Sequence, residues 1–189
     1  MLERARSVST PLHEAIALVG PVSSRRRRRL SIENFLARTI IGQQVSAAAA
    51  RSIWVRVSDA ARVARVDAPT LAQRCVDQLL ACGVSRNKAR ALQSVYEASR
   101  SGRLSETFLR QQDPSDRVAT LLAIRGVGPW TCDMTLLFHY RLPDIWPEGD
   151  AAVQRTFQLL IGRRSPRRAA KILSLIHISE PTRPRLRSY

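Results

Sequence analysis

Lysine is almost missing from this chain. Its 189 residues carry 31 basic side chains, yet only Lys88 and Lys171 are lysines. Cysteine is also scarce. Cys75, Cys82 and Cys132 are odd in number and scattered, which excludes a disulfide framework. Cys75 and Cys82 are separated by six residues, a spacing met in iron–sulfur proteins, but no further closely spaced cysteines follow. They read as core or half-buried thiols, and neither a metal nor another cofactor is expected. No run approaches the ~18 apolar residues of a membrane span, so no membrane partner is expected. The opening MLERARSVST lacks the apolar core of a signal peptide. A cytoplasmic protein is expected. No stretch alternates in the manner of a strand, and no internal repeat is visible.

What the chain does have is charge of one sign. Its 31 basic residues face 15 acidic ones, for a net charge of +16 and a pI near 11.5. Such a balance calls for a polyanionic partner, most simply nucleic acid. An anionic membrane surface or ribosomal RNA also fits the charge. The preference for arginine is discounted, because an Arg- and Ala-rich composition also follows from a GC-rich genome. With 44% apolar residues over this length, the chain can bury a core as one domain or slightly more.

Apolar residues recur at helical spacing along most of the chain. Residues 8–19 read as a short helix capped by Thr10, with Pro11 at its first position; His13 reads as a surface or capping residue. The five arginines Arg25–Arg29 read as a solvated loop, with a phosphate-binding arm as the sharper alternative. Ser31 starts a helix carrying Ile32, Phe35, Leu36, Thr39 and Ile40, and Gly42 interrupts it. Ser46 caps a second helix through Val57. Gln43 and Gln44 thus sit at a break between two apolar helices. They form either a plain surface turn or a notch whose amides bond a base or fill a gap in a duplex. Two more helices are expected over 71–81 and 85–101, and another from Asp113-Pro114 to Leu122 or Ala123.

The densest stretch runs from Leu121 to Val153. Gly126-Val127-Gly128 joins two helical runs, the second opening at Pro129 or Trp130. Glycines two apart permit positive φ and let a backbone approach a ligand closely. The amides opening the second helix suit a phosphate oxygen, although a bare GxG is also a common turn. Further on, Asp150 precedes the helical run AAVQRTFQLLIG. Aspartate is a favoured N-cap. The same helix terminus favours a carboxylate anion, which is what an oxocarbenium-like sugar requires. Glu148, Asp144 and Asp133 compete for that role on spacing alone.

Gly126 to Thr131 followed by Asp150 resembles the helix–hairpin–helix, Gly/Pro-rich loop and aspartate pattern of the DNA glycosylase superfamily. IIGQQVSAAAARSIW, over Ile40 to Trp54, resembles the segment that marks its alkylation-repair branch, the 3-methyladenine DNA glycosylase II family. The likeness covers roughly residues 10–172, with GQQVS, GVGPWT and WPEGD in that order.

The resemblance implies an all-α, two-lobed fold containing a helix–hairpin–helix. It places the catalytic acid at Asp150 and DNA-backbone binding at Gly126, Val127, Gly128 and Thr131. The base pocket falls at Trp130, Met134, Gln43 and Gln44. Met134 and Ala151 stand where some members carry aromatics. Relatives that also cut the strand carry a lysine at the position of Trp130, where it forms a Schiff base. A tryptophan there implies a monofunctional enzyme that leaves an abasic site. The cysteines of the endonuclease III cluster are missing after Asp150. The implied partner is double-stranded DNA with a flipped, damaged base, bound by a monomer in a bacterial cell near the nucleoid.

The end of the chain departs from the family. LSLIHISEPTR, Leu173 to Arg183, resembles a translated sequencing adaptor. The expected organisation is therefore a glycosylase domain over 1–172, lacking its last helices, and a non-native tail over 173–189. Three other readings fit part of the pattern. They are a non-catalytic helix–hairpin–helix DNA clamp, a mismatch glycosylase of the same superfamily, and a basic RNA-binding or ribosomal protein.

Overall fold

A computed structural model describes residues 2–20, 30–142 and 145–161. Among these residues the secondary structure is helical and contains no strand, as the sequence implies. Arg25–Arg29, Asp144, Lys171 and the tail over 173–189 lie outside the described residues. The chain divides into two compact units, one from Arg28 to Leu142 and one combining 1–27 with 143–189.

The larger unit is built around α3 (Ile32–Gly42). Ser31 caps it by accepting from the Asn34 amide at 3.4 Å. Ile32, Leu36, Ala37, Ile40 and Ile41 are all buried, the stripe that a 3.6-residue period predicts. Around it pack α4 (Ala47–Val63), α5 (Ala68–Arg74), α7 (Arg86–Arg100) and α10 (Pro129–Met134). Val57, Leu71, Leu92, Val95 and Leu121 complete a core with almost no exposed surface. Serines cap α4 and α7: Ser46 accepts from Ala49 at 3.2 Å and Ser85 from Lys88 at 3.4 Å.

Several boundaries differ from expectation. The α4 helix continues to Val63, past the expected end at Val57. The single helix expected over 71–81 is two. Asp67 caps α5 by accepting from Thr70 at 2.7 Å, and the chain then breaks at Cys75 (φ −151°) before α6 (Val76–Ala81). Neither glycine nor proline marks that break, so composition gives no warning of it. Helix α8 (Glu106–Gln111) was not anticipated, although Ser105 caps it. Helix α9 (Pro114–Leu122) starts and stops as expected.

After α10 the backbone widens into a π-helical turn, Thr135–His139. Tyr140 donates to the Thr135 carbonyl at 3.1 Å. His139, 4% exposed, pairs with Glu106 and lies near the rings of Phe35 and Tyr140. The guanidinium groups of Arg110 and Arg117 lie 5.5 and 5.2 Å from the centre of the Tyr140 ring. Burial is the main cause that pushes the Tyr140 phenol up to about 12.

The smaller unit contains α1 (Leu2–Val8), α2 (Thr10–Val19) and α11 (Ala151–Ile161). The first of these was not expected. Ser9, rather than Thr10, caps α2 by accepting from Leu12 at 3.5 Å. The Ser9 hydroxyl also donates to the Leu160 carbonyl, tying α2 to α11. Trp146 meets Phe157 edge-on, with ring centres 5.6 Å apart.

Candidate functional site

The hairpin lies in the larger unit, between α9 and α10. Val127 donates to the Ile124 carbonyl at 3.0 Å, closing the turn, and its side chain is buried. The two glycines have different reasons to be there. Gly126 has φ +86°, and a Cβ at that position would fall 2.3 Å from the Ala91 Cβ on α7. Both backbone conformation and helix packing exclude a side chain. Gly128 has an ordinary φ of −91°, and among the described residues a Cβ there would meet no atom within 4 Å beyond its chain neighbours. Neither strain nor internal packing explains this glycine. What it leaves is open space beside the backbone where α10 begins.

Gln43 joins the hairpin to the break after α3. Its Nε2 donates to the Gly126 carbonyl at 2.9 Å and to Thr131 Oγ1 at 2.8 Å. Residues read separately as a notch and a hairpin therefore form one hydrogen-bonded assembly. Thr131 is 1% exposed, and its hydroxyl faces Gln43. Gln44 is exposed and holds the left-handed conformation at φ +55°, uncommon for a residue with a side chain. Val45 beside it is 39% exposed. Trp130 is half-buried at the start of α10. Met134, one turn later, is buried.

Asp150 belongs to the smaller unit. It is half-buried and precedes α11 directly. Its Oδ1 accepts from the amides of Ala152 and Val153, both at 2.9 Å, while its own carbonyl accepts from Gln154 at 2.9 Å. The N-cap role expected of it is real. Two amides and the helix terminus stabilise negative charge on this carboxylate.

Lys88 is a functional candidate that the sequence does not single out. Its Nζ donates to the carbonyls of Ile41 at 2.8 Å and Gln43 at 2.7 Å. The near-absence of lysine elsewhere was the signal that could have singled it out.

No family model matches the chain. Two curated proteins do. DNA-3-methyladenine glycosylase 1 of Schizosaccharomyces pombe is 26% identical over 144 residues, which cover 75% of this chain and 62% of that protein. DNA-3-methyladenine glycosylase of Saccharomyces cerevisiae is 28% identical over 130 residues, covering 65% and 44%. The chain is homologous to DNA-3-methyladenine glycosylases. It spans less than two thirds of the length of either curated relative.

Solved structures agree on the fold of this homologue. The S. pombe 3-methyladenine DNA glycosylase, in complex with abasic DNA, superposes with a TM-score of 0.79 at 22% identity. The match covers 92% of this chain and 87% of that one. A DNA-3-methyladenine glycosidase from Bacillus halodurans gives a TM-score of 0.69 at 27% identity, covering 92% and 78%. The fold is that of the helical DNA glycosylases.

Proposed function

We propose that this chain is a monofunctional DNA glycosylase of base excision repair. It hydrolyses the N-glycosidic bond of alkylated purines such as 3-methyladenine and leaves an abasic site. The observation that carries this reading is the homology to proteins named DNA-3-methyladenine glycosylases. The S. pombe structure holds abasic DNA, the product class such a reaction leaves. The net charge of +16 suits a DNA partner.

In this reading the hairpin backbone, from Gly126 to Thr131, takes a phosphate. The open side of Gly128 gives the backbone room to approach it. The exposed Gln44 enters the space vacated when the damaged nucleotide leaves the stack. Extrusion costs a few kcal/mol, and less for a damaged base. Trp130 stacks on the electron-poor base, with Met134 behind it in the pocket. An N-alkylated purine carries positive charge and departs without a general acid. Asp150 then stabilises the developing sugar cation.

Strand cutting would need an amine nucleophile. Lys88, the one lysine among the described residues, is engaged with two carbonyls. The protein acts as a monomer on double-stranded DNA.

The test is release of 3-methyladenine and 7-methylguanine from methylated duplex. Release is expected without strand cutting until alkali is added. Asp150→Asn should abolish it while leaving DNA binding largely intact. Normal excision by that variant reduces Asp150 to a helix cap. Tight, salt-sensitive binding with no release by the parent chain favours a plain DNA clamp or a different lesion.

A further inference from the structure

Lys88 occupies a costly place. It stands in the first turn of α7, where the helix dipole disfavours a cation. It is also half-buried, and desolvation pushes its ammonium below the usual lysine value. A chain that uses arginine almost everywhere else keeps a lysine here.

The compensation lies on another helix. The last carbonyls of a helix have no partners within it, and they carry its negative end. Lys88 Nζ donates to the carbonyl of Ile41, at 2.8 Å, and to that of Gln43, at 2.7 Å, where α3 ends. Two oxygens from one tight turn converge on a single nitrogen. A tetrahedral ammonium can serve both from one point, while a guanidinium spreads its donors over a rigid planar fork.

Gln43 is thereby held at both ends. Lys88 fixes its backbone carbonyl, and the hairpin fixes its side-chain amide. The next residue, Gln44, is exposed and left-handed. Such a conformation is strained for a residue with a side chain and persists only where its surroundings impose it. One turn beyond Lys88 on the same helix, Ala91 rests against Gly126. Helix α7 thus touches both the glutamine turn and the hairpin, and Lys88 is its bond to the turn.

We propose that Lys88 is a positioning residue that sets the Gln43–Gln44 turn for base extrusion, an inference that rests on the glycosylase reading. Lys88 touches neither base nor sugar in this scheme. It presents Gln44 in the one conformation that enters the DNA stack.

The experiment uses the full chain with Lys88→Met and Lys88→Arg. It measures single-turnover base release, affinity for undamaged duplex, thermal melting, and the fluorescence of 2-aminopurine placed beside the lesion. The dye brightens when its neighbour unstacks, a response that a merely structural role would not alter.

Lys88→Met is expected to slow release by about 10- to 100-fold and to suppress the 2-aminopurine signal, with affinity for undamaged duplex unchanged. Lys88→Arg should recover the melting temperature without recovering the rate. If Lys88→Met does not fold, Lys88→Arg carries the comparison, and parental release by Lys88→Arg overturns the proposal. In a Gln44→Ala background Lys88→Met should add little, so losses that multiply in full also overturn it. Covalent trapping of the parent chain on DNA by borohydride, lost in Lys88→Met, would make Lys88 a nucleophile instead.

The two readings fail separately. Parental release unaffected by Lys88→Met removes this proposal and leaves the glycosylase standing. A parent that releases nothing removes the glycosylase reading, while 2-aminopurine in uncut duplex still decides whether Lys88 governs unstacking.

Discussion

The Gln43 side chain bonds across 83 residues to Gly126 and 88 residues to Thr131. The bonds from Asp150 to Ala152 and Val153 span two and three. The first arrangement is made by the fold of the larger unit, and the second is a helix cap in the smaller one. Locally held residues can be exchanged with little cost to folding, because the neighbouring helix supplies their geometry. Residues held by distant partners cannot, because each also holds those partners in place. In the proposed reading, a mutation at Asp150 therefore tests chemistry alone, whereas one at Gly126 also tests folding.

The contrast can be broken most directly at Asp150. Serine is as good an N-cap as aspartate, so Asp150→Ser should melt close to the parent. In the proposed reading it should nonetheless lose at least about 100-fold in base release, because the carboxylate proposed to stabilise the sugar cation is gone. A variant that keeps its activity, or one that unfolds, removes the separation between cap and chemistry.

The two hairpin glycines give the next largest effect. Gly126→Ala forces a left-handed alanine against Ala91 and should cost about 2–4 kcal/mol in urea unfolding. Gly128→Ala should cost less than about 0.5 kcal/mol. Its methyl group projects into open space, so affinity for abasic-site duplex should fall about 3- to 10-fold, the equivalent of one hydrogen bond. Equal destabilisation by the two changes would show that Gly128 is required by the fold.

A further effect is confined to alkaline pH. Burial pushes the Cys132 thiol from 9.0 up to about 12 and the Tyr140 phenol from 10.0 up to about 12. Both groups are held in the neutral form in the larger unit. The unfolded chain loses these protons first, so their contribution is intact below pH 9 and is lost as pH rises towards 12. Melting temperature should decline through that window. Cys132→Ala and Tyr140→Phe should each flatten the decline, even where they lower stability at neutral pH.

What could be read from sequence followed the same division. Ser31, Ser46 and Ser85 announce their helices because a cap acts within three residues, and Asp113-Pro114 does so through a proline at the first helical position. Asp150 was legible as both a cap and a candidate acid for the same reason. The break at Cys75 was not, since nothing in its own chemistry stops a helix and packing decides it. The widened turn at Thr135–His139 had no readable cause either. Gln43, Gln44, Gly126 and Thr131 were each singled out, but not the bonds from Gln43 to Gly126 and Thr131. Partners more than eighty residues apart leave no local pattern. Lys88 was passed over because its meaning lies on α3, not on its own helix.

The π-helical turn also has a consequence for comparing sequences. A regular helix places residues 130, 134 and 138 along one stripe, but the wide turn spends an extra residue and shifts the phase by about 100°. Phe138 is 62% exposed as a result, and His139 is buried. The face shared by Trp130 and Met134 therefore ends at Met134. Aligning this segment with a chain whose helix lacks the bulge requires a one-residue gap between Thr135 and Tyr140.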